Sequence, residues 1–329
     1  MVENLYVHFP FCRRKCSYCA LYSRAGASRA DRDAYVGRLA REIGAECLTP
    51  RAKLKTVYFG GGSPALCDLS VLAPTLRPLC GAKTEFTVEL HPHDVTESKL
   101  AELKALGVNR ISMGVQSLDD AVLADMGRGY TVAEAERAFA LVKRQFDNSG
   151  IDLIVGYPGD AAWDLRRLSG WGLRHCSVYS LQNERGLKNV PDDDTVLDRL
   201  RHIAICLGKM GLERYEISNY AVPGCECRHN LAVWRGEDYI GIGDGACGRI
   251  GLRRTKFGKE ELVSPEFDQK ERRLFRLRTR EGLDASGRPE WEPVLAKYCV
   301  EGLLTQEGRI YRLTERGTEV CDSILAELV

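Results

Sequence analysis

Short apolar runs alternate with segments of helical period along the first two-thirds of the chain. Leu5–His8, Thr56–Phe59, Glu85–Leu90, Arg110–Gly114, Ile151–Val155 and Ser177–Leu181 have the β-branched and aromatic content of strands. Between them lie helical segments. Arg32–Glu46 is one. A second is capped by Thr96 and shows Leu100, Leu103 and Leu106 on one face. Thr131-Val-Ala-Glu134 is a capping box that opens a third, to about Phe146. Asp194–Met210 carries Val196, Leu200, Ile203 and Leu207 as a stripe. Strands alternating with helices imply right-handed βαβ units and a parallel sheet. Six units suit a partial (β/α)6 TIM-like barrel; a doubly wound open sheet is the alternative, and periodicity does not choose.

The pattern changes after about residue 250. Gly251–Gly258 is basic and punctuated by glycine, as an exposed loop or linker would be. Glu266–Arg280 and Arg288–Glu301 read as helices, Ile310–Leu313 as a short strand, and Thr314 caps a last helix through Leu328. This predicts a core over 1–250 and a small winged-helix-like α+β domain over 251–329.

Charge narrows the possibilities. Forty-seven Lys and Arg face forty-six Asp and Glu, giving a formal charge of +1. That balance argues against a dedicated nucleic-acid binder. No apolar run reaches the length of a membrane span, and Met1–Asn4 has no secretory character, so a cytoplasmic protein is expected. Arg253, Arg254, Lys256 and Lys259 form a basic segment, read as a solvated linker or a contact surface.

The thirteen cysteines are the unusual feature. Cys12-Arg-Arg-Lys-Cys16-Ser-Tyr-Cys19 places three of them, spaced C-x3-C-x2-C, on a loop after the first strand. Structural zinc sites and ferredoxin-type clusters use four protein ligands. Three thiolates on a 4Fe–4S cluster would leave one iron free to chelate an amine and a carboxylate; a zinc site completed from elsewhere is the other reading. Arg13, Arg14 and Lys15 would lower thiolate pKa values and offset cluster charge. Gly60-Gly61-Gly62-Ser63-Pro64 ends the second strand, and its free backbone groups could hold a zwitterion. Cys225, Cys227 and His229, at i, i+2 and i+4, are either a second metal or heme locus or incidental loop thiols beside a hydrogen-bonded histidine that supports the barrel's closing loop. Cys47, Cys67, Cys80, Cys176, Cys206, Cys299 and Cys321 are isolated and read as core fillers.

Tyr6 through Cys19, Phe59–Pro64, Gly107–Ser117, Asp152–Gly159, Tyr215–Tyr220, Arg228–Trp234 and Gly241–Ala246 together resemble the radical S-adenosylmethionine (SAM) superfamily. Within it they resemble the oxygen-independent coproporphyrinogen III oxidases and their relatives, the HemW heme chaperones. The resemblance spans nearly the whole chain. It implies a cluster on Cys12, Cys16 and Cys19. It implies SAM contacts at Tyr6, Tyr18, Gly61, Gly62, Ser63, Glu89, Gln116, Arg128 and Asp152. Of these, Arg128 would pair with the SAM carboxylate, and Glu89, Gln116 and Asp152 would serve the ribose and sulfonium. The implied chemistry is reductive cleavage of SAM to a 5′-deoxyadenosyl radical, fed by an electron donor such as flavodoxin or ferredoxin.

Two positions bear on the choice within the group. Leu21 stands where the oxidases carry a fourth cysteine. His229-Asn-Leu-Ala-Val-Trp234 matches the HemW signature H-N-x-x-Y-W except at Val233, and Cys247 stands where relatives carry His. The resemblance therefore implies heme on His229 and delivery to a heme-accepting protein. A tetrapyrrole-modifying enzyme and a radical SAM protein with an unrelated substrate stay open.

Overall fold

The structure, a computed structural model, describes residues 2–47, 53–160 and 163–329. Six strands follow one another in chain order: β1 (Asn4–Phe9), β2 (Thr56–Gly61), β3 (Glu85–Leu90), β4 (Arg110–Gln116), β5 (Asn148–Val155) and β6 (His175–Ser180). Three more complete the sheet: β7 (Glu213–Glu216), β8 (Asn219–Ala221) and β9 (Ile240–Ile242). The spatial order is β9-β1-β2-β3-β4-β5-β6-β8-β7. Pairing is parallel from β9 through β6 and antiparallel in the β7–β8 hairpin.

That order settles the choice periodicity left open. A doubly wound sheet reverses direction at a switch point. Here every crossover from β1 to β6 steps one strand the same way, the winding of a barrel, and the two ends do not pair. The fold is a partial (β/α) barrel.

Register shows what each face is for. Cα partners point to the same side of a sheet. Asn4, Thr56 and Glu85 form one row; Tyr6, Tyr58, Thr87, Arg110 and Asn148 form the next. Glu89 and Ser112 share a row, as do Asp152 and Ser177. The inner face is largely polar, with Ile154 an apolar position beside Tyr179. The outer face carries Leu5, Val7, Val57, Phe59, Val88, Ile111, Met113 and Ile151, all fully buried. Helices Arg29–Cys47, Glu97–Leu106, Val132–Gln145 and Asp193–Lys209 cover it with Leu39, Leu103, Phe139 and Leu207, in one continuous core. Closed barrels fill their interior with bulky aliphatic layers. This one keeps its hydrophobic driving force outside and leaves a polar lumen.

The caps form as expected. Thr96 accepts from the Lys99 N–H, and Thr131 with Glu134 makes a full capping box. Beyond the barrel, Leu274, Leu283, Trp291, Leu295, Tyr311 and Ile324 form a second core. Helices Pro265–Arg276, Glu292–Val300 and Cys321–Leu328 pack there with the antiparallel strands Leu283–Asp284, Leu304–Glu307 and Ile310–Leu313. The expected final helix breaks at Val320, and two of these strands had no sequence signal.

The basic segment is not a linker. Cys247–Ile250, Arg253–Lys256 and Lys259–Leu262 form a three-stranded antiparallel sheet. Arg254 pairs with Asp268 and Glu271, and Arg253 with Glu260. Glycines 251 and 258 sit at positive φ in the turns, so they punctuate hairpins. Among the described residues, no helix is long and apolar enough to cross a membrane.

Candidate functional site

The cysteine loop leaves β1 and is clipped at several points. The Ser17 N–H donates to the Met126 carbonyl at 3.2 Å. Ser17 Oγ lies 2.8 Å from the Tyr157 hydroxyl, which donates to Asp125 at 2.7 Å. Lys15 Nζ reaches the Leu21 carbonyl at 2.6 Å and Ser23 Oγ at 2.7 Å. Arg13 donates to Asp94 at 2.9 Å, and Asp94 also accepts from Ser63 Oγ. Asp94, Asp125 and Tyr157 thus hold the loop. No spacing in the sequence singles them out, because each acts across a long stretch of chain.

Cys12, Cys16 and Cys19 are each half-buried. Arg128 reaches Cys16, with Nη1 3.6 Å from its Sγ and 3.4 Å from the Tyr18 hydroxyl. Its other donors go to Tyr130 (2.9 Å) and the Gly114 carbonyl (2.7 Å). Arg128 as a whole is 9% exposed. No carboxylate pairs with it among the described residues. A buried cation in that state suits an anionic guest. The basic triplet plays a smaller part than its sequence position suggests. Arg13 and Lys15 serve as struts, and burial pushes the Cys12 thiol up despite Ser23 and Lys15.

The glycine run also works differently from expectation. The Gly61 N–H donates to Glu89 at 3.0 Å, Gly62 to the Phe9 carbonyl at 2.6 Å and Ser63 to the Phe11 carbonyl at 2.7 Å. These donors are spent inside the protein. A Cβ on Gly60 would meet the Glu89 carboxylate, and on Gly61 the His8 ring. On Gly62 it would come within 2.4 Å of the Phe11 carbonyl oxygen. The absence of Cβ lets strand, cysteine loop and Glu89 close on one another.

One cavity of about 920 Å³ opens on the lumen, within the size range of small-molecule sites. Tyr6, Tyr18, Cys19, Leu21, Glu89, His229, Val233 and Cys247 all line it. Gln116, Arg128, Asp152, Gly61, Gly62 and Ser63 are not on its wall. Ser63 is buried with its hydroxyl given to Asp94. Gln116 sits at the bulged end of β4 with φ of 74°, a conformation side chains rarely adopt outside functional or strained positions. Asp152 accepts from Ser112 at 2.9 Å, and burial pushes its carboxyl up.

Glu89 accepts from the Tyr58 hydroxyl at 2.8 Å as well as from Gly61. Burial, with Asp152 second, pushes its carboxyl from 4.5 up to about 7. The folded chain therefore holds a proton that the unfolded chain has released. Stability from this group is full at low pH and is lost as pH rises through about 7. Relative to Glu89→Gln, the wild type is expected to lose stability between pH about 4.5 and about 7. Urea midpoints of both proteins across that range check it; parallel curves would refute it.

His8 Nε2 faces the Tyr22 carbonyl at 2.8 Å and must carry the hydrogen, so its Nδ1 accepts from the Tyr6 hydroxyl at 2.9 Å. Tyr6 thereby keeps its oxygen lone pairs toward the cavity. His229 lies on the helix Arg228–Trp234. Its N–H donates to Glu85 at 3.0 Å, its Nδ1 is 2.8 Å from Thr56 Oγ1, and burial followed by Arg110 lowers its pKa to about 3. Cys225 and Cys227 lie on the loop that leads into this helix, as expected, and both are buried in a small apolar cluster with Tyr215 and Ala221. Among the described residues, no three His, Cys, Asp or Glu side chains gather around a single-ion point, neither at Cys225, Cys227 and His229 nor at Cys12, Cys16 and Cys19. Of the isolated cysteines, 47, 67, 176 and 321 are buried, and 80, 206 and 299 pack partly against the cores.

Residues 6–171 match the Radical SAM superfamily. The heme chaperone HemW of Escherichia coli (strain K12) is 31% identical, with 98% of this chain and 97% of that protein covered. Bovine mitochondrial radical S-adenosyl methionine domain-containing protein 1 is 32% identical, with 92% of this chain and 73% of that protein covered. The solved structure of coproporphyrinogen III oxidase (HemN) from Escherichia coli, a radical SAM enzyme, superimposes with a TM-score of 0.85 at 21% identity, over 99% of this chain and 89% of that one. That likeness is one of fold.

Proposed function

The chain belongs to the radical SAM superfamily, in the group that includes the HemW proteins, and on that premise we propose that it is a heme-carrying protein with a cluster and SAM site. Cys12, Cys16 and Cys19 would hold a 4Fe–4S cluster. Tyr6, Tyr18 and Glu89 would line the SAM pocket, with Gln116 and Asp152 beside them and Gly61, Gly62 and Ser63 shaping its floor. His229 would carry heme for delivery to an acceptor protein.

The observation that carries this reading is the single cavity. It brings Cys19 of the cluster loop, the lumen residues Tyr6 and Glu89, and His229 onto one wall, although they are far apart in the chain. The donor sets fit the groups. Half-buried thiols stand beside the unpaired Arg128 cation. A neutral imidazole, which is a competent heme ligand, opens on a space large enough for a macrocycle. When bound, the cluster would supply one electron at a time. The residues of this chain orient the guests: Arg128 holds negative charge at Cys16, and Tyr6 and Glu89 present oxygens to the lumen.

The same closeness supports a second reading, a radical SAM enzyme acting on a tetrapyrrole. Leu21 counts against propionate decarboxylation, because it stands where the resembling oxidases have their fourth cysteine. The deciding experiment uses the anaerobically reconstituted chain. Hemin is expected to give a Soret shift that is lost in His229→Ala. With SAM and a reductant, neither hemin nor coproporphyrinogen III is expected to be converted. Turnover with stoichiometric 5′-deoxyadenosine would favour the enzyme. A wild-type hemin spectrum equal to that of His229→Ala would overturn the heme assignment.

A further inference from the structure

His229 sits at the end of a directional hydrogen-bond chain. The Asn4 amide nitrogen is 3.1 Å from the Asp238 backbone carbonyl and 3.3 Å from Glu237 Oε2. Both are acceptors, so the NH2 end must point there and Asn4 Oδ1 must point the other way. Asn4 Oδ1 lies 2.9 Å from Thr56 Oγ1. An amide oxygen has no hydrogen to give, so the one hydroxyl hydrogen of Thr56 goes to Asn4. Thr56 Oγ1 then offers only lone pairs to His229 Nδ1, 2.8 Å away. That contact is a hydrogen bond only if Nδ1 carries the hydrogen.

We propose that Thr56 and Asn4 are positioning residues that lock His229 as the Nδ1–H tautomer, leaving the Nε2 lone pair free as a ligand toward the cavity. A neutral imidazole has one N–H. With that hydrogen on Nδ1, Nε2 is bare, and no protein group donates to it among the described residues. Asn4, Thr56 and His229 are 2%, 2% and 4% exposed, so water does not replace any link. The anchors are rigid: Asn4 and Thr56 are register partners on β1 and β2, and the His229 backbone is tied to Glu85. Metal-ligating histidines are commonly oriented in this way by the partner of the other ring nitrogen.

The inference deepens the heme reading and rests on it only for the identity of the guest. Two measurements separate them. The first is the ring-nitrogen spectrum of the whole apo chain labelled with 15N-histidine, with the His229 signals assigned by their loss in His229→Ala. A protonated Nδ1 and bare Nε2 are expected in the wild type and in Thr56→Ser, and a mixed or inverted pattern in Thr56→Val. The second is hemin titration. Thr56→Val is expected to bind about 10-fold more weakly or worse, and Thr56→Ser close to wild type, with Thr56→Ser also serving as the folding control. A wild-type Nε2–H tautomer overturns the proposal, as does a Thr56→Val protein unchanged in both measurements. The expected tautomer without His229-dependent hemin binding supports the lock and rejects heme as the guest.

Discussion

Replacing Cys12, Cys16 or Cys19 singly by alanine is expected to abolish cluster assembly while leaving the apo fold intact. Each substitution removes one of the three thiols of the motif, and no fourth cysteine stands beside them, Leu21 occupying the position two residues beyond Cys19. The loop itself does not depend on the thiols. Ser17 is tied to Met126 and Tyr157, Lys15 to Leu21 and Ser23, and Phe11 to Ser63. Loss of a half-buried thiol should therefore cost the apo protein no more than about 1 kcal/mol. Iron and sulfide per chain, with visible absorbance after anaerobic reconstitution, measure the first effect; urea unfolding measures the second. Cys206→Ala, on the helix Asp193–Lys209, should keep its iron. Three variants with normal iron content would show that the ligands lie elsewhere.

Gly62→Ala is expected to lose the cluster with every cysteine in place. Its Cβ would stand 2.4 Å from the Phe11 carbonyl oxygen and 2.8 Å from that of Phe9. Both are backbone atoms, so no rotamer change relieves the contact. Phe11 immediately precedes Cys12, and its carbonyl accepts from Ser63 at 2.7 Å. Strand β1 and the glycine run would have to part, moving the first ligand. A cost of about 3 kcal/mol or more is expected, in the range of severe core lesions. The comparison is Gly208→Ala, where a Cβ meets nothing within 4 Å. Gly208 lies in the last turn of the helix Asp193–Lys209, where that change should stabilise by no more than about 0.5–1 kcal/mol. A Gly62→Ala protein with wild-type stability and iron would refute the close-packing account.

Local patterns carried much of the architecture. Apolar runs marked the six parallel strands, and Thr96, Thr131 and Glu134 marked helix starts, because cap and strand preferences act over a few residues. The cysteine spacing was legible for the same reason. Other features were silent. Asp94 braces Arg13 and Ser63 from 81 and 31 positions away. Cys227 Sγ packs against the Glu85 carboxylate, 142 positions away. The strands Arg253–Lys256 and Lys259–Leu262 carry mostly charged side chains, so they lack the apolar alternation by which strands are recognised.

By itself, then, the sequence determined the six parallel strands and the helices between them, the three-thiol loop and the family, all of which depend on near neighbours or ordered motifs. Tertiary structure alone decided the direction of winding, the polar lumen and the shared cavity of Cys19, Glu89 and His229. It also decided that the glycine run admits protein groups and that Asn4, Thr56 and His229 meet in one hydrogen-bond chain. The physical reason is common to all of these. Alternation says that a strand has two faces, but which face meets helices, and which atoms meet across the lumen, is set by hydrogen-bond register between distant segments.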